Sequence, residues 1–148
     1  MFPVNCRECN VIVSEKERQY SEKRFSQHLC FTCQKKFEKY KHLTKAAIAF
    51  YFGLKKYGLN PTLEHNDGHK TVDIALLDNH LYFEIDGIHH FEGEQAFADI
   101  QRNFFSWREG FQTFHIPNWI ARNNKKLDEA AYFISDIIKQ KKEKDGKK

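Results

Sequence analysis

The sequence predicts an α/β protein: a central β-sheet flanked by helices, preceded by a small cysteine-anchored module. Three observations predict it. Four cysteines form two close pairs, Cys6 with Cys9 and Cys30 with Cys33. Apolar residues recur at helical spacing over 44–57, over 95–108 and from Leu127 onward. Residues 71–77 and 81–86 instead alternate apolar and polar with the period of two that a half-buried strand requires. The 148 residues, 41% hydrophobic, can fill a core of ordinary size. No apolar run approaches the roughly 20 residues of a membrane-spanning helix, and the start MFPVNCREC lacks the apolar stretch of a secretory signal. The expectation is a soluble, intracellular protein with no membrane partner.

Cys6, Cys9, Cys30 and Cys33 read C-x2-C, twenty residues, C-x2-C, and use every cysteine in the chain. That spacing suits a tetrahedral zinc site in which each pair supplies two thiolates and the intervening segment becomes a closed loop. Unliganded thiols and a redox pair are the competing readings, and no strand-helix redox unit lies beside the site. Between the pairs, from Asn10 to Phe25, only Val11, Ile12, Val13, Tyr20 and Phe25 are large and apolar, so the segment needs the metal to stay folded. The second pair runs into CQKKFEKYKHL, a helical pattern, so residues 1–43 resemble a treble-clef or zinc-ribbon finger.

Charge is divided along the chain. Residues 1–45 carry 10 basic and 5 acidic side chains, residues 46–120 carry 5 and 10, and residues 121–148 carry 9 and 5, leaving the formal net charge at +4. Basic ends around an acidic centre suit a protein whose periphery grips a polyanion and whose centre holds a cation. Lys16, Arg18, Lys23, Arg24, Lys35, Lys36, Lys39 and Lys41, with Tyr20, Phe25, Phe31 and Phe37 among them, suit phosphate contacts and base stacking. Solvated lysines and a protein-docking module are the alternatives.

The helix over 44–57 presents Ala47, Phe50, Leu54 and Tyr57, broadened by Ile48 and Phe52, and stops at Gly58 and Pro61. Asn66-Asp67-Gly68 and Asp78-Asn79-His80 are turns separating short strands. Strict alternation places Val72, Ile74 and Leu76 on one face and Asp73 on the other. In the next strand Leu81, Phe83 and Ile85 share a face, opposite Glu84 and Asp86. Paired as a hairpin, the strands bring Asp73, Glu84 and Asp86 to one side of the sheet, where clustered carboxylates call for a compensating cation, Mg²⁺ or Mn²⁺ by their hard oxygen donors. Solvated acids on an exposed face are the alternative. His89 and His90 follow at once and suit proton transfer, metal binding or charge stabilisation.

Asp73, ten residues, then Glu84-Ile85-Asp86-Gly87-Ile88-His89-His90 resembles the core of the PD-(D/E)XK nuclease superfamily, and more narrowly the branch containing very-short-patch-repair endonucleases. The similarity continues through Asp99-x-x-Arg102, Gly110, a strand Thr113 to Ile116, Pro117-Asn118 and a final helix, and so spans residues 44–140. It implies a restriction-endonuclease-like central mixed sheet flanked by helices, and metal-dependent phosphodiester hydrolysis, with DNA the favoured partner. It also implies that Asp73, Glu84 and the Ile85 carbonyl hold Mg²⁺ or Mn²⁺, that Asp86 stands where the superfamily usually has lysine, and that His89 and His90 act near the scissile phosphate. Related nucleases often carry a glutamate on the first core helix; TKAAIAFYFGLKKYG contains no acid. A catalytically silent nucleic-acid-binding protein with the same fold is therefore the second reading. A ββα-metal site built on His89, His90 and Asn103 fits less well, because it does not call for a strand-borne Asp-x10-Glu-x-Asp.

Over 95–108, Phe97, Ile100, Phe104 and Trp107 mark the expected core face. Off that face, Asp99 and Arg102 read either as a surface ion pair or, for Arg102, as a substrate contact. Asn118 is expected to border the site, and His115 to be a strand residue without chemistry. The last helix repeats Leu127, Ala131, Ile134 and Ile138 and gives way to a solvated basic tail over 141–148.

Overall fold

The computed structural model describes residues 2–86 and 93–147. It begins with a two-stranded hairpin, β1 (Val4–Asn5) antiparallel to β2 (Ile12–Val13), then α1 (Glu15–Phe25) and α2 (Phe31–Glu38). Helix α1 starts where it does because Ser14 and Glu17 form a reciprocal capping box. Ser14 Oγ accepts the Glu17 N–H at 3.2 Å, and the Ser14 N–H donates to Glu17 Oε1 at 3.0 Å. The second oxygen of Glu17 accepts the Phe31 N–H at 2.7 Å and so ties α1 to the start of α2.

Helix α3 (Lys45–Lys56) is capped by Thr44, whose hydroxyl accepts the Ala47 N–H at 3.1 Å. Its residues from Ala46 to Leu54 are buried or half-buried, as a helix packed on several sides requires. Phe37 of α2 meets Tyr51 and Phe52 of α3 edge-on or tilted, each with ring centroids 5.8 Å apart. Cys6, Cys30, Cys33 and Phe37 thereby join Phe50, Leu54, Ile74 and Phe83 in one continuous apolar core.

The sheet has four strands in the order β3 (Thr62–Asn66), β4 (Thr71–Leu76), β5 (Leu81–Asp86) and β6 (Gln112–Pro117). The first three are antiparallel; β6 runs parallel to β5 after the crossover helix α4 (Gly93–Arg108). Helix α3, the short α5 (Asn118–Arg122) and α6 (Asn124–Gly146) pack together beside the face that carries Ile74, Leu76 and Phe83. The fold is thus mixed α/β, a four-stranded mixed sheet flanked by helices. Among the described residues no helix is long and apolar enough to cross a membrane.

Three expectations are corrected. Val72 does not share a face with Ile74 and Leu76; it packs with Ala75 and Tyr82 in a second, smaller cluster. On the neighbouring strand Glu64, between the Leu63↔Ile74 and His65↔Val72 pairs, is a non-glycine residue in the left-handed region (φ 45°). The apolar stripe of α4 faces outward: Phe97, Ile100, Phe104 and Trp107 are exposed, while Asp99 and Ser106 are buried and Asn103 is half-buried. The polar side turns inward because its partners lie beneath it, Lys70 under Asn103 and Asp67 under Ser106. Finally, α6 continues through residue 146, since Lys, Gln and Glu are good helix formers and need no burial to extend an existing helix.

Candidate metal centres

The four cysteines converge. Their Sγ atoms all lie within 4.8 Å of one another, with Cys9 and Cys30 at 3.7 Å. Cys6 and Cys9 sit on the β1–β2 turn, which is closed by the Cys6 N–H to Val11 O at 2.6 Å and the Asn10 N–H to Cys6 O at 2.8 Å. Cys30 caps α2 and Cys33 lies in its first turn. Burial works to raise the Cys6 thiol, but the N–H groups of Cys9, Cys30 and Glu8 outweigh it and bring it down to about 7. Burial, with neighbouring sulfurs adding to it, pushes Cys30 and Cys33 up. Such a set does not ionise fully by itself, and a tetrahedral cation such as Zn²⁺ compensates it; the cluster can hold that metal.

The second centre lies at the end of β5. Glu84 and Asp86 project from one face of that strand, and parallel pairing sets Glu84 opposite His115 of β6. One ligand atom from each of Glu84, Asp86 and His115 falls within 4.8 Å of the other two. His115 Nδ1 hydrogen-bonds Asp86 Oδ2 and lies 3.7 Å from Glu84 Oε2. Asp73 is not one of the three; its Oδ2 accepts the Ile85 N–H at 2.7 Å. Burial raises its proton affinity, the Ile85 N–H opposes this, and the carboxylates of Glu84, Asp86 and Glu64 push the same way as burial. A half-buried acid among three others is an environment that a bound divalent cation would relieve, and carboxylate oxygens are the donors that Mg²⁺ or Mn²⁺ takes.

Lys70 lies behind this group. It ends the tight turn between β3 and β4, where Gly68 adopts φ 95° and Asp67 accepts N–H bonds from His69 and Lys70, each at 2.8 Å. Its side chain, 2% exposed, runs inward to Asn103 Oδ1 at 2.8 Å, Thr113 Oγ1 at 3.2 Å and Glu84 Oε1 at 3.6 Å. Burial lowers the proton affinity of this amine, while the Glu84 and Asp67 carboxylates hold it up. Compared with family models, curated proteins and solved structures, the chain matches none.

Of the other sequence-predicted residues, Arg102 pairs with Asp99 on α4, the aspartate buried and the arginine exposed. Asn118 opens α5 directly after Pro117, the register partner of Asp86. His89 and His90 lie outside the described residues. Sequence reasoning does not single out Lys70 and assigns His115 no chemistry. The signal for Lys70 is its place at the exit of an Asn-Asp-Gly turn, one pleat from Val72; for His115, only the β5–β6 register places it.

Proposed function

We propose that the chain is a divalent-metal-dependent endonuclease that hydrolyses phosphodiester bonds, with DNA the favoured substrate, and that the four-cysteine module is a zinc finger aiding nucleic-acid binding. The observation that carries this reading is the Glu84–Asp86–His115 group at the end of β5, next to the half-buried Asp73. Glu84, Asp86 and Asp73 would supply the oxygens for Mg²⁺ or Mn²⁺. Bound there, the cation supplies charge compensation for the phosphate and a more acidic water. The resemblance of Asp73-x10-Glu84-x-Asp86 to the PD-(D/E)XK pattern supports the same assignment, and the mixed sheet flanked by helices is compatible with it. Asp86 stands where that pattern usually has lysine, so water activation is not given to residue 86.

Substrate affinity comes from elsewhere. Lys16, Lys23, Lys35, Lys36, Lys39 and Lys41 are exposed on and beside α1 and α2, where they offer salt-sensitive phosphate contacts. Arg102, exposed on α4, and Asn118, just past β6, are the proposed substrate contacts outside the cysteine module.

The test is a cleavage screen on duplex, mismatched, branched and single-stranded DNA and RNA with Mg²⁺ or Mn²⁺. Cutting that falls about a hundredfold or more in Glu84→Gln and Asp86→Asn supports the reading. A panel left intact under both metals overturns it. The lack of any acid on α3 favours a second reading, a catalytically silent binding protein. Tight, metal-independent binding with no cleavage would select it.

A further inference from the structure

The site assigned above leaves open what His115 does, because an imidazole beside two carboxylates is either a metal ligand or a hydrogen-bond donor. The answer lies in a chain of contacts that starts on the far side of the sheet turn. An ammonium group donates three hydrogen bonds and accepts none, so the Asn103 atom facing Lys70 Nζ at 2.8 Å is the amide oxygen. Thr113 Oγ1, at 3.2 Å, and Glu84 Oε1, at 3.6 Å, hold the same ammonium from β6 and β5. With its oxygen committed, the Asn103 amide presents Nδ2 at its other end, 3.3 Å from His115 Nε2. That nitrogen carries only donors, so Nε2 must offer a lone pair. In a neutral imidazole the proton then resides on Nδ1, the nitrogen that faces Asp86 Oδ2.

We infer that Lys70 and Asn103 are positioning residues that fix His115 as its Nδ1–H tautomer, making it a hydrogen-bond donor to Asp86 and not a metal ligand. This rests on reading Glu84 and Asp86 as the cation site. The nitrogen turned toward the carboxylates has no free lone pair, and the nitrogen that has one is turned toward Asn103. A cation between Glu84 and Asp86 therefore meets oxygen donors only, which suits hard cations such as Mg²⁺ or Mn²⁺ over Zn²⁺. Lys70 acts only through its neighbours: a side chain 2% exposed does not reach a macromolecular substrate. Its three anchors come from α4, β6 and β5, so one buried cation sets the geometry of all three elements around the site.

The experiment reads the tautomer directly, with no cleavage assay. The full-length, zinc-loaded, ¹⁵N-labelled chain without added Mg²⁺ is observed by long-range ¹H–¹⁵N correlation of its histidine rings under conditions where they are neutral, and His115 is assigned with His115→Gln. The expected wild-type pattern has Nδ1 protonated and Nε2 bearing the lone pair. Asn103→Asp replaces the donor with an acceptor and is expected to reverse the pattern. Lys70→Met frees the amide to rotate and is expected to give a mixture, which keeps the inference testable if Asn103→Asp does not fold. A wild-type Nε2–H tautomer, or a pattern unchanged in the folded variants, overturns it. If no nucleic acid is cut but the Nδ1–H pattern is found, the nuclease reading fails and the positioning role of Lys70 and Asn103 stands.

Discussion

Asp73 Oδ2 accepts the backbone N–H of Ile85 at 2.7 Å, so a side chain of β4 takes the place of a ladder partner where the β4–β5 pairing ends at Ile74↔Phe83. The arrangement gives a half-buried carboxylate a single backbone donor among three other acids. Burial and those neighbours raise its proton affinity. For a group whose folded pKa is raised, the stabilising contribution is complete below the unfolded value and is lost as pH rises through the folded value. Asp73 therefore weakens the cation-free protein at neutral pH.

Replacing Asp73 by Asn keeps an acceptor for Ile85 and removes the charge. Asp73→Asn is expected to melt higher than the wild type at pH 7 without added divalent cation, and the gap should close as pH falls toward the ordinary aspartate value of 3.8. Added Mg²⁺ or Mn²⁺ should raise the wild-type melting temperature and leave the variant nearly unmoved. Thermal melts of the zinc-loaded protein across pH, with and without Mg²⁺, measure all three. A variant that gains as much as the wild type from Mg²⁺ would remove Asp73 from the cation site.

Zinc removal should reach far beyond the cysteines. Cys6, Cys30, Cys33 and Phe37 belong to the same apolar core as Phe50, Leu54 and Phe83, and Phe37 packs on both Tyr51 and Phe52. Structural zinc contributes roughly 10–16 kcal/mol in small fingers, more than the whole stability of a typical domain. A zinc chelator, or Cys33→Ser, should thus lower helical circular dichroism and expose α3 as well as α1 and α2. Elemental analysis should find one Zn per chain. Hydrogen exchange that speeds up in α1 and α2 while α3 stays protected would show that the core is less continuous than its packing indicates.

Glu8, between the first two cysteines, reaches across to α3, where Tyr51 Oη donates to Oε1 at 2.9 Å and Lys55 Nζ lies 3.1 Å from Oε2. Burial and the carboxylate push the Tyr51 hydroxyl well above its ordinary value, which keeps it a donor at any working pH. Tyr51→Phe retains the ring and leaves Glu8 one donor short. The expected cost is about 1–3 kcal/mol, read as a fall of a few degrees in melting temperature. A variant as stable as the wild type would mean that Lys55 alone satisfies Glu8.

How much of this was legible in the residues depends on whether the cause is local. Strand β5 is, because Leu81, Phe83 and Ile85 alternate with Glu84 and no neighbour overrides them. Helix α1 has a local signal in Ser14-x-x-Glu17, yet its surface is so charged that hydrophobic periodicity passes over it. His115 has none: its chemistry comes from lying opposite Glu84 in a parallel register set by the α4 crossover. Lys70 is similar, since only the fold carries an amine from a turn to within 3.6 Å of Glu84. Val72 packs with Ala75 and Tyr82, a placement that alternation along its own strand does not carry.

Helix α4 separates pattern from packing most sharply. Phe97, Ile100, Phe104 and Trp107 have the spacing of a core stripe, but all four are exposed, and the buried positions are Asp99 and Ser106. If the stripe were the core face, Phe104→Gln would cost about 3–5 kcal/mol, as large-to-small changes of buried aromatics do. With Phe104 exposed, the expected cost is about 0.5 kcal/mol or less. Ser106→Leu should behave in the opposite way. Its hydroxyl donates to Asp67 Oδ2 and to Arg102 O, both at 3.2 Å, and the residue is 1% exposed, so a larger apolar side chain there overpacks the contact and removes the donor. A loss of about 1–3 kcal/mol is expected. Urea unfolding of the two variants measures the contrast, and the reverse order of costs would rotate α4 by half a turn and take Asn103 away from Lys70.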